Sequence, residues 1–225
     1  MNLTDLSSAN SAQRLGIVGA GSLGQQIAQH LHQSGIEVAG FFDDTLPKGQ
    51  LLTMGTVLGG IANARQLFDQ GQITGLMMGI GYRYLDRRQL LFEQLAAVIP
   101  FPSFVHPAAW VDSSAQLEAG CFVSPGCIID INARLGPNTF LYSGCVVSHD
   151  TQLAGHSLLG PGVRLAGNVS VAERCFLGIG TTVIDGLSIG VDIVTGGGTV
   201  VVDSLSQTGL YVGVPARGLH VKENS

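Results

Sequence analysis

Positive charge is scarce in this chain. Its 225 residues carry 11 Lys and Arg against 16 Asp and Glu, a formal net charge of −5. A nucleic-acid partner needs a basic footprint, so that class of partner is excluded. No run of about 18 apolar residues is present, which excludes a membrane-spanning helix. The opening stretch, MNLTDLSSANSAQ, is polar and holds no apolar signal core. It reads as a flexible leader over residues 1–13, and the expected location is the cytoplasm. Cysteine is limited to four positions, Cys121, Cys127, Cys145 and Cys175.

What the chain has in excess is glycine, 32 residues, roughly twice the usual share. Much of it belongs to a repeat. Blocks of six counted from Val105 begin with Val105, Val111, Leu117, Val123, Ile129, Leu135, Leu141, Val147 and Leu153. They continue with Leu159, Leu165, Val171, Leu177, Val183, Ile189, Thr195 and Val201, so 16 of 17 first positions are aliphatic. A period of six is neither helical nor that of a hairpin; it predicts a β-helix. Position five is small or apolar almost throughout, a second inward-facing site. All four cysteines fall there, which marks them as core residues rather than a zinc site or a disulfide set. Position four is Gly, Asn or Asp in 12 of 17 blocks, residue types that tolerate φ > 0, so it is the expected corner. Position three carries Pro107, Pro125, Pro137 and Pro161, where a ring points outward without breaking a ladder bond.

The first 100 residues alternate differently. A strand ending near Val18 runs into Gly19-Ala20-Gly21-Ser22-Leu23-Gly24, then a helix over about 22–34 with Gly35 as its stop. A second strand ends at Asp43 and Asp44; residues 45–60 read as loop, and a helix covers about 62–70. A third strand, TGLMMGI, leads to a helix over about 83–97 and a strand near 98–101. The expectation is a small parallel, Rossmann-like α/β domain over 14–102, followed by the β-helix over 103–219. GxGxxG in the context strand, turn, helix, acidic pair is a phosphate-binding arrangement. Taken alone it reads as nicotinamide dinucleotide binding; packing alone is the other open reading.

The repeat resembles the hexapeptide-repeat acyltransferases, which form a left-handed parallel β-helix with three blocks per 18-residue coil. Five to six coils are then expected. Joined to the glycine-loop domain, it resembles the PglD/NeuD-type sugar acyltransferases. That resemblance implies a nucleotide-sugar site at Gly19, Gly21, Ser22, Asp43, Asp44, Gly79 and Gly81. It implies acetyl-CoA as co-substrate, bound near Gly167, Gly178, Gly180 and Pro215, the last in a Gly-Val-Pro-Ala closing stretch. It also implies a homotrimer with sites in clefts between neighbouring prisms, and no metal.

The chemistry falls on YSGCVVSHDTQLAG, which matches the family's catalytic stretch. His149 stands at the outward third position, between Ile131 and Gly167 in the coils below and above. The resemblance implies N-acetylation of a nucleotide-linked amino sugar, a 4-amino-4,6-dideoxyhexose. His149 would be the general base, Asp150 the group fixing its tautomer, and the Gly167 N–H an oxyanion donor. Asp150 also suits a corner for backbone reasons alone. O-acetylation of a sialic-acid-like sugar, a non-catalytic nucleotide-binding trimer and a nicotinamide oxidoreductase remain alternatives. Leu23 and Leu158 stand where the family often has histidines. His106 reads as structural, and His30, His32 and His220 as surface residues. His149 and His156 do not suffice for zinc, which would need three convergent imidazoles.

Overall fold

The structure is a computed structural model in which residues 13–219 are described. Residues 220–225, and the leader apart from Gln13, lie outside those residues. The chain divides into two compact units after Ser103.

The first unit is a five-stranded sheet with three helices. Its strands are β1 (Arg14–Val18), β2 (Glu37–Phe42), β3 (Leu51–Leu52), β4 (Gly55–Gly59) and β5 (Gly75–Met78), in the order β3-β4-β2-β1-β5. All neighbours are parallel except the β3–β4 hairpin. The helices are α1 (Ser22–Gln33), α2 (Ala64–Asp69) and α3 (Leu85–Ala96), with short 3-10 turns at Ile61–Asn63 and Tyr82–Tyr84. Helix α1 buries Leu23, Ile27, Ala28 and Leu31, the spacing of one helical face. It ends as the sequence predicts: Gly35 is left-handed at φ 78. The Ile36 N–H bonds Leu31 O and the Gly35 N–H bonds His32 O, which is a Schellman closure.

Two expectations for this unit are corrected. Residues 45–60 are not simply loop, because they contain β3 and β4. The four glycines and two-residue turn of that stretch hid a strand whose register follows β2. Residues 98–101 form no strand; there the Pro100 carbonyl accepts one bond from the Leu76 N–H, and Pro100 itself has no N–H to return a ladder. The chain steps from β1 outward through β2 and β4, then returns to the far side of β1 as β5. That reversal makes the C-terminal ends of β1 and β5 the topological switch point of the sheet, the usual ligand position in open α/β sheets.

The second unit is a β-helix of two-residue strands on three parallel faces. Register is 18 residues until the last coil, where Ile193 pairs with Gly209 instead; Val111, Ile129, Val147, Leu165, Val183 and Val201 stack on one face. Ile129, Val147, Leu159 and Leu177 are wholly buried, each such side chain worth about 1.5–3 kcal/mol of transfer free energy. Thr195, the one polar first position, is satisfied internally by Thr181 Oγ1 at 2.7 Å and the Gly178 N–H at 3.0 Å. From Gly120 to Gly198, all 14 fourth positions have left-handed φ, including His156 and Arg174. Arg174 shows the corner conformation imposed on a residue that does not favour it, whereas His tolerates it.

Position five explains the cysteines. The thiols of Cys121, Cys127, Cys145 and Cys175 lie 3.3, 3.2, 3.2 and 3.0 Å from the carbonyls of Gly136, Tyr142, Gly160 and Gly190. Thr151 makes the equivalent bond to Ala166 O at 2.8 Å. A small side chain with a weak donor therefore serves the interior, and burial pushes the Cys175 thiol up to about 11. The coils close with a strand at Gly209–Val212 and an antiparallel return at Arg217–Leu219.

Candidate active site

Four consecutive coils meet at the corner that carries the predicted chemistry. The third block position there is Ile131, His149, Gly167 and Asp185 in ascending order. The Asn168 N–H bonds His149 O and the Asp150 N–H bonds Ile131 O, so the column is held by backbone. Asp150 is the corner residue at φ 57. That conformation sets its carboxylate beside the preceding side chain, with Oδ2 3.0 Å from His149 Nδ1. An Nδ1–H donating to the carboxylate leaves Nε2 as the ring nitrogen available to another group. Both side chains are about half exposed, at 51% and 48%.

Asn132 completes the arrangement and was not singled out from the sequence. It occupies the same corner one coil below, at φ 58. Its Nδ2 donates to Asp150 Oδ1 at 3.1 Å, and its own N–H donates to Ser114 Oγ at 2.9 Å. The spacing of 18 from Asp150 was the available signal. The hydrogen bonds from His149 and Asn132 hold the Asp150 carboxyl below its ordinary value. The bond to Asp150 raises the His149 imidazole above its ordinary value against the opposing effect of desolvation, and the charges of Asp150, Asp130 and Asp185 add to the rise.

What is tight at Gly167 is side-chain space, not backbone conformation. A Cβ there would lie 2.5 Å from both Cε1 and Nε2 of His149 and 2.8 Å from Asp185 Oδ1. The imidazole therefore lies over the glycine. The Gly167 N–H finds no acceptor among the described residues. A glycine face beside an available Nε2, with an uncommitted N–H, fits an acyl thioester. Gly178, Gly180 and Pro215 are not brought to this corner. A Cβ on Gly178 would meet Thr195 O at 2.5 Å, so close coil packing explains it. Gly180 is a left-handed corner residue at φ 67, and Pro215 is exposed in the turn before Arg217.

In the first unit the glycines divide into two kinds. A Cβ on Gly24 would lie 2.0 Å from Gly19 O, and one on Gly79 would lie 2.7 Å from Gly24 Cα. Gly19, Gly24 and Gly79 thus allow the β1 turn, α1 and the end of β5 to touch, a packing role that stands beside the binding role expected for Gly19 and Gly79. Gly21 and Gly81 meet nothing within 4 Å. Each is the N-cap of a helical segment, Gly21 of α1 and Gly81 of the Tyr82–Tyr84 turn that runs into α3, and neither segment has a side-chain cap. Ser22, the first residue of α1, is exposed.

The acidic pair is committed to the scaffold. Asp43 Oδ2 accepts from the Ala20 N–H at 2.9 Å, and Oδ1 accepts from the Thr45 N–H and hydroxyl at 2.8 and 2.6 Å. Partial burial works to raise Asp43, but these hydrogen bonds outweigh it and hold the carboxyl below its ordinary value. Asp44 accepts from the Ile61 N–H at 2.8 Å and pairs with Arg87 at 2.9 Å. The sequence did not single out Arg88, which is 1% exposed. Its Nη1 donates to Met78 O at 3.0 Å and Ile80 O at 2.8 Å, so a buried guanidinium pins the loop that ends in Gly81.

The remaining histidines are accounted for. His106 Nδ1 accepts from the Ala108 N–H at 3.0 Å, a local turn bond. His156 is 4% exposed and meets Asn138 Nδ2 at 3.1 Å, at a corner other than that of His149. His32 is exposed and His30 half-buried; His220 lies outside the described residues. Leu23 and Leu158 are buried apolar side chains. Among the described residues no group of three or more His, Cys, Asp or Glu is placed to hold a metal ion, and no helix is long and apolar enough to cross a membrane.

No family model matches the chain, and no curated protein matches it. Solved structures do. A histidine-to-alanine mutant of GDP-perosamine N-acetyltransferase from Caulobacter crescentus, in complex with CoA and GDP-perosamine, is 32% identical with a TM-score of 0.87. The match covers 93% of this chain and 98% of that one. The chain belongs to the PglD/NeuD-type hexapeptide-repeat sugar acetyltransferases. A second structure from the same organism, PerB with CoA and GDP-perosamine, is 33% identical over 93% of this chain and 99% of that chain, with a TM-score of 0.85. The acetyltransferase domain of PglB from Neisseria gonorrhoeae, in complex with acetyl coenzyme A, shares the fold at 23% identity and a TM-score of 0.82. Its match covers 93% of this chain and all of that domain. For a PglD/NeuD-type member the β-helix is the left-handed acetyltransferase prism.

Proposed function

We propose that this protein transfers an acetyl group from acetyl-CoA to the amine of a nucleotide-linked 4-amino-4,6-dideoxyhexose. The observation that carries the reading is His149: Nδ1 is tied to Asp150, and Nε2 lies over a glycine whose Cβ, if present, would collide with the ring. In this reading Nε2 is the general base that takes a proton from the attacking amine. Asp150, held by Asn132, keeps the proton on Nδ1 and stabilises the imidazolium that forms. The Gly167 N–H meets the negative charge that develops on the thioester oxygen. The protonated Nε2 then returns its proton to the departing thiolate, so the base is regenerated within one turnover.

The nucleotide sugar is assigned to the switch point beyond β1 and β5. The first-turn N–H groups after Gly21, at Ser22 and Leu23, and those after Gly81 suit the diphosphate. Asp43 and Asp44 shape that site by fixing the Ala20 and Ile61 backbone; their role is positioning. A homotrimer, with His149 in a cleft between neighbouring prisms, and a cytoplasmic location belong to the same proposal. GDP-perosamine and CoA, the ligands of the 32%-identical neighbour, are the natural first probes. Incubation of the protein with acetyl-CoA, a thiol reporter and a panel of nucleotide amino sugars headed by GDP-perosamine tests the reading. Thiol release that requires the amino sugar is expected. Thermal stabilisation by NAD but by no nucleotide sugar, without thiol release, overturns it.

A further inference from the structure

The column above His149 carries a second carboxylate. Asp185 stands two coils up at the same outward position and is exposed. The space left by the absent Gly167 Cβ is shared from two sides, by His149 Nε2 at 2.5 Å and Asp185 Oδ1 at 2.8 Å. These two atoms are therefore at most about 5.3 Å apart. A tetrahedral nitrogen donating to two acceptors at ~2.9 Å each spans about 4.7 Å between them. An amine or ammonium has the hydrogens for both bonds, whereas a hydroxyl has a single O–H to give.

We infer that Asp185 is the residue that makes this site select an amine over a hydroxyl nucleophile. Its carboxylate accepts one N–H of the nucleophile while Nε2 of His149 faces another. The inference rests on the acetyl-transfer reading above. In the transfer, the amine nitrogen bonds to the thioester carbonyl carbon and the C–S bond breaks. The amine proton passes to Nε2 and from there to the thiolate, and Asp185 keeps its charge throughout. An ammonium arriving at neutral pH also gains from the carboxylates that face His149, namely Asp130, Asp150 and Asp185. Of these, Asp150 is already bonded to Nδ1, and Asp185 is the one that shares the Gly167 space with Nε2. Sequence spacing of 18 and 36 from His149 carries this column, which reading the catalytic stretch alone does not reveal.

The test uses the full chain, GDP-perosamine and the otherwise identical GDP sugar with a 4-hydroxyl. Calorimetric Kd values are measured for both in the wild type and in Asp185→Asn, together with the Kd of CoA and the imidazole titration of His149 by NMR. The wild type is expected to prefer the amine by about 10- to 100-fold, the range of a hydrogen bond to a charged group. Asp185→Asn should bring that ratio close to one, leave the hydroxyl sugar and CoA unchanged, and lower the pH at which His149 titrates. An undiminished amine preference in Asp185→Asn overturns the inference while leaving acetyl transfer standing. A wild type that binds neither sugar and acetylates no nucleotide amino sugar overturns the acetyl-transfer reading, and the inference with it.

Discussion

The substitution Gly167→Ala isolates the position of the base from the fold. Gly167 has no left-handed φ, so alanine meets no backbone penalty there. Its Cβ, however, would lie 2.5 Å from Cε1 and Nε2 of His149, and 2.8 Å from Asp185 Oδ1. Ordinary van der Waals contact begins near 3.4 Å, so the imidazole must withdraw by roughly 1 Å or rotate away from Asp150. A displacement of that size at a reacting group costs on the order of 10²-fold in rate. Both clashing atoms end flexible, half-exposed side chains, so the coil itself has no reason to deform. The expected result is kcat reduced by about 10²-fold, with the urea midpoint and the Kd of CoA close to wild type. Steady-state acetylation and equilibrium unfolding on one preparation measure both. Wild-type kcat would refute the placement of the base. Loss of activity in step with loss of stability would show that the glycine serves the backbone instead.

Asp150→Asn should lower kcat by about 10²-fold or more and shift the acid limb of kcat/KM. Only the neutral imidazole is a base, and Asp150 holds His149 protonated to higher pH, so the limb should move to lower pH in the variant. Gly144 has φ 74 and open space where a Cβ would go. Gly144→Val should therefore cost about 1–2 kcal/mol from conformation alone, read as a lower urea midpoint; an unchanged midpoint would contradict the corner assignment. Arg88→Met leaves the carbonyls of Met78 and Ile80 without their buried donor, at about 1–3 kcal/mol each. It should raise KM for the nucleotide sugar with little change in KM for acetyl-CoA.

The β-helix was legible because its period is a property of the sequence. Val105 to Val201 keep phase without an insertion, and the first, fourth and fifth positions carry different physical demands. The dyad was legible for the same reason: the spacing that puts His149 outward also sets Gly167 above it. Asn132 and Asp185 are not legible in the catalytic stretch, because they lie 18 residues before Asp150 and 36 after His149, and only the stacking of coils brings them beside the dyad. In the first unit, β4 was hidden by Gly55, Gly59 and Gly60, which weaken any strand pattern. The supposed strand at 98–101 was an apolar stretch whose proline cannot sustain a ladder. Glycine motifs also conceal their purpose. Nothing in GxGxxG separates Gly24, fixed by a contact with Gly19, from Gly21, which faces open space. Arg88 reads in sequence as one of three surface-like arginines; only the turn of α3 shows that it is buried.

The most direct measurement is mass spectrometry of GDP-perosamine after incubation with acetyl-CoA and either the wild type or His149→Asn. The account predicts one added acetyl group, on the amine, with the wild type and a rate lower by about 10²–10⁴ with the variant, while both bind CoA equally. Equal product from the two proteins would contradict it.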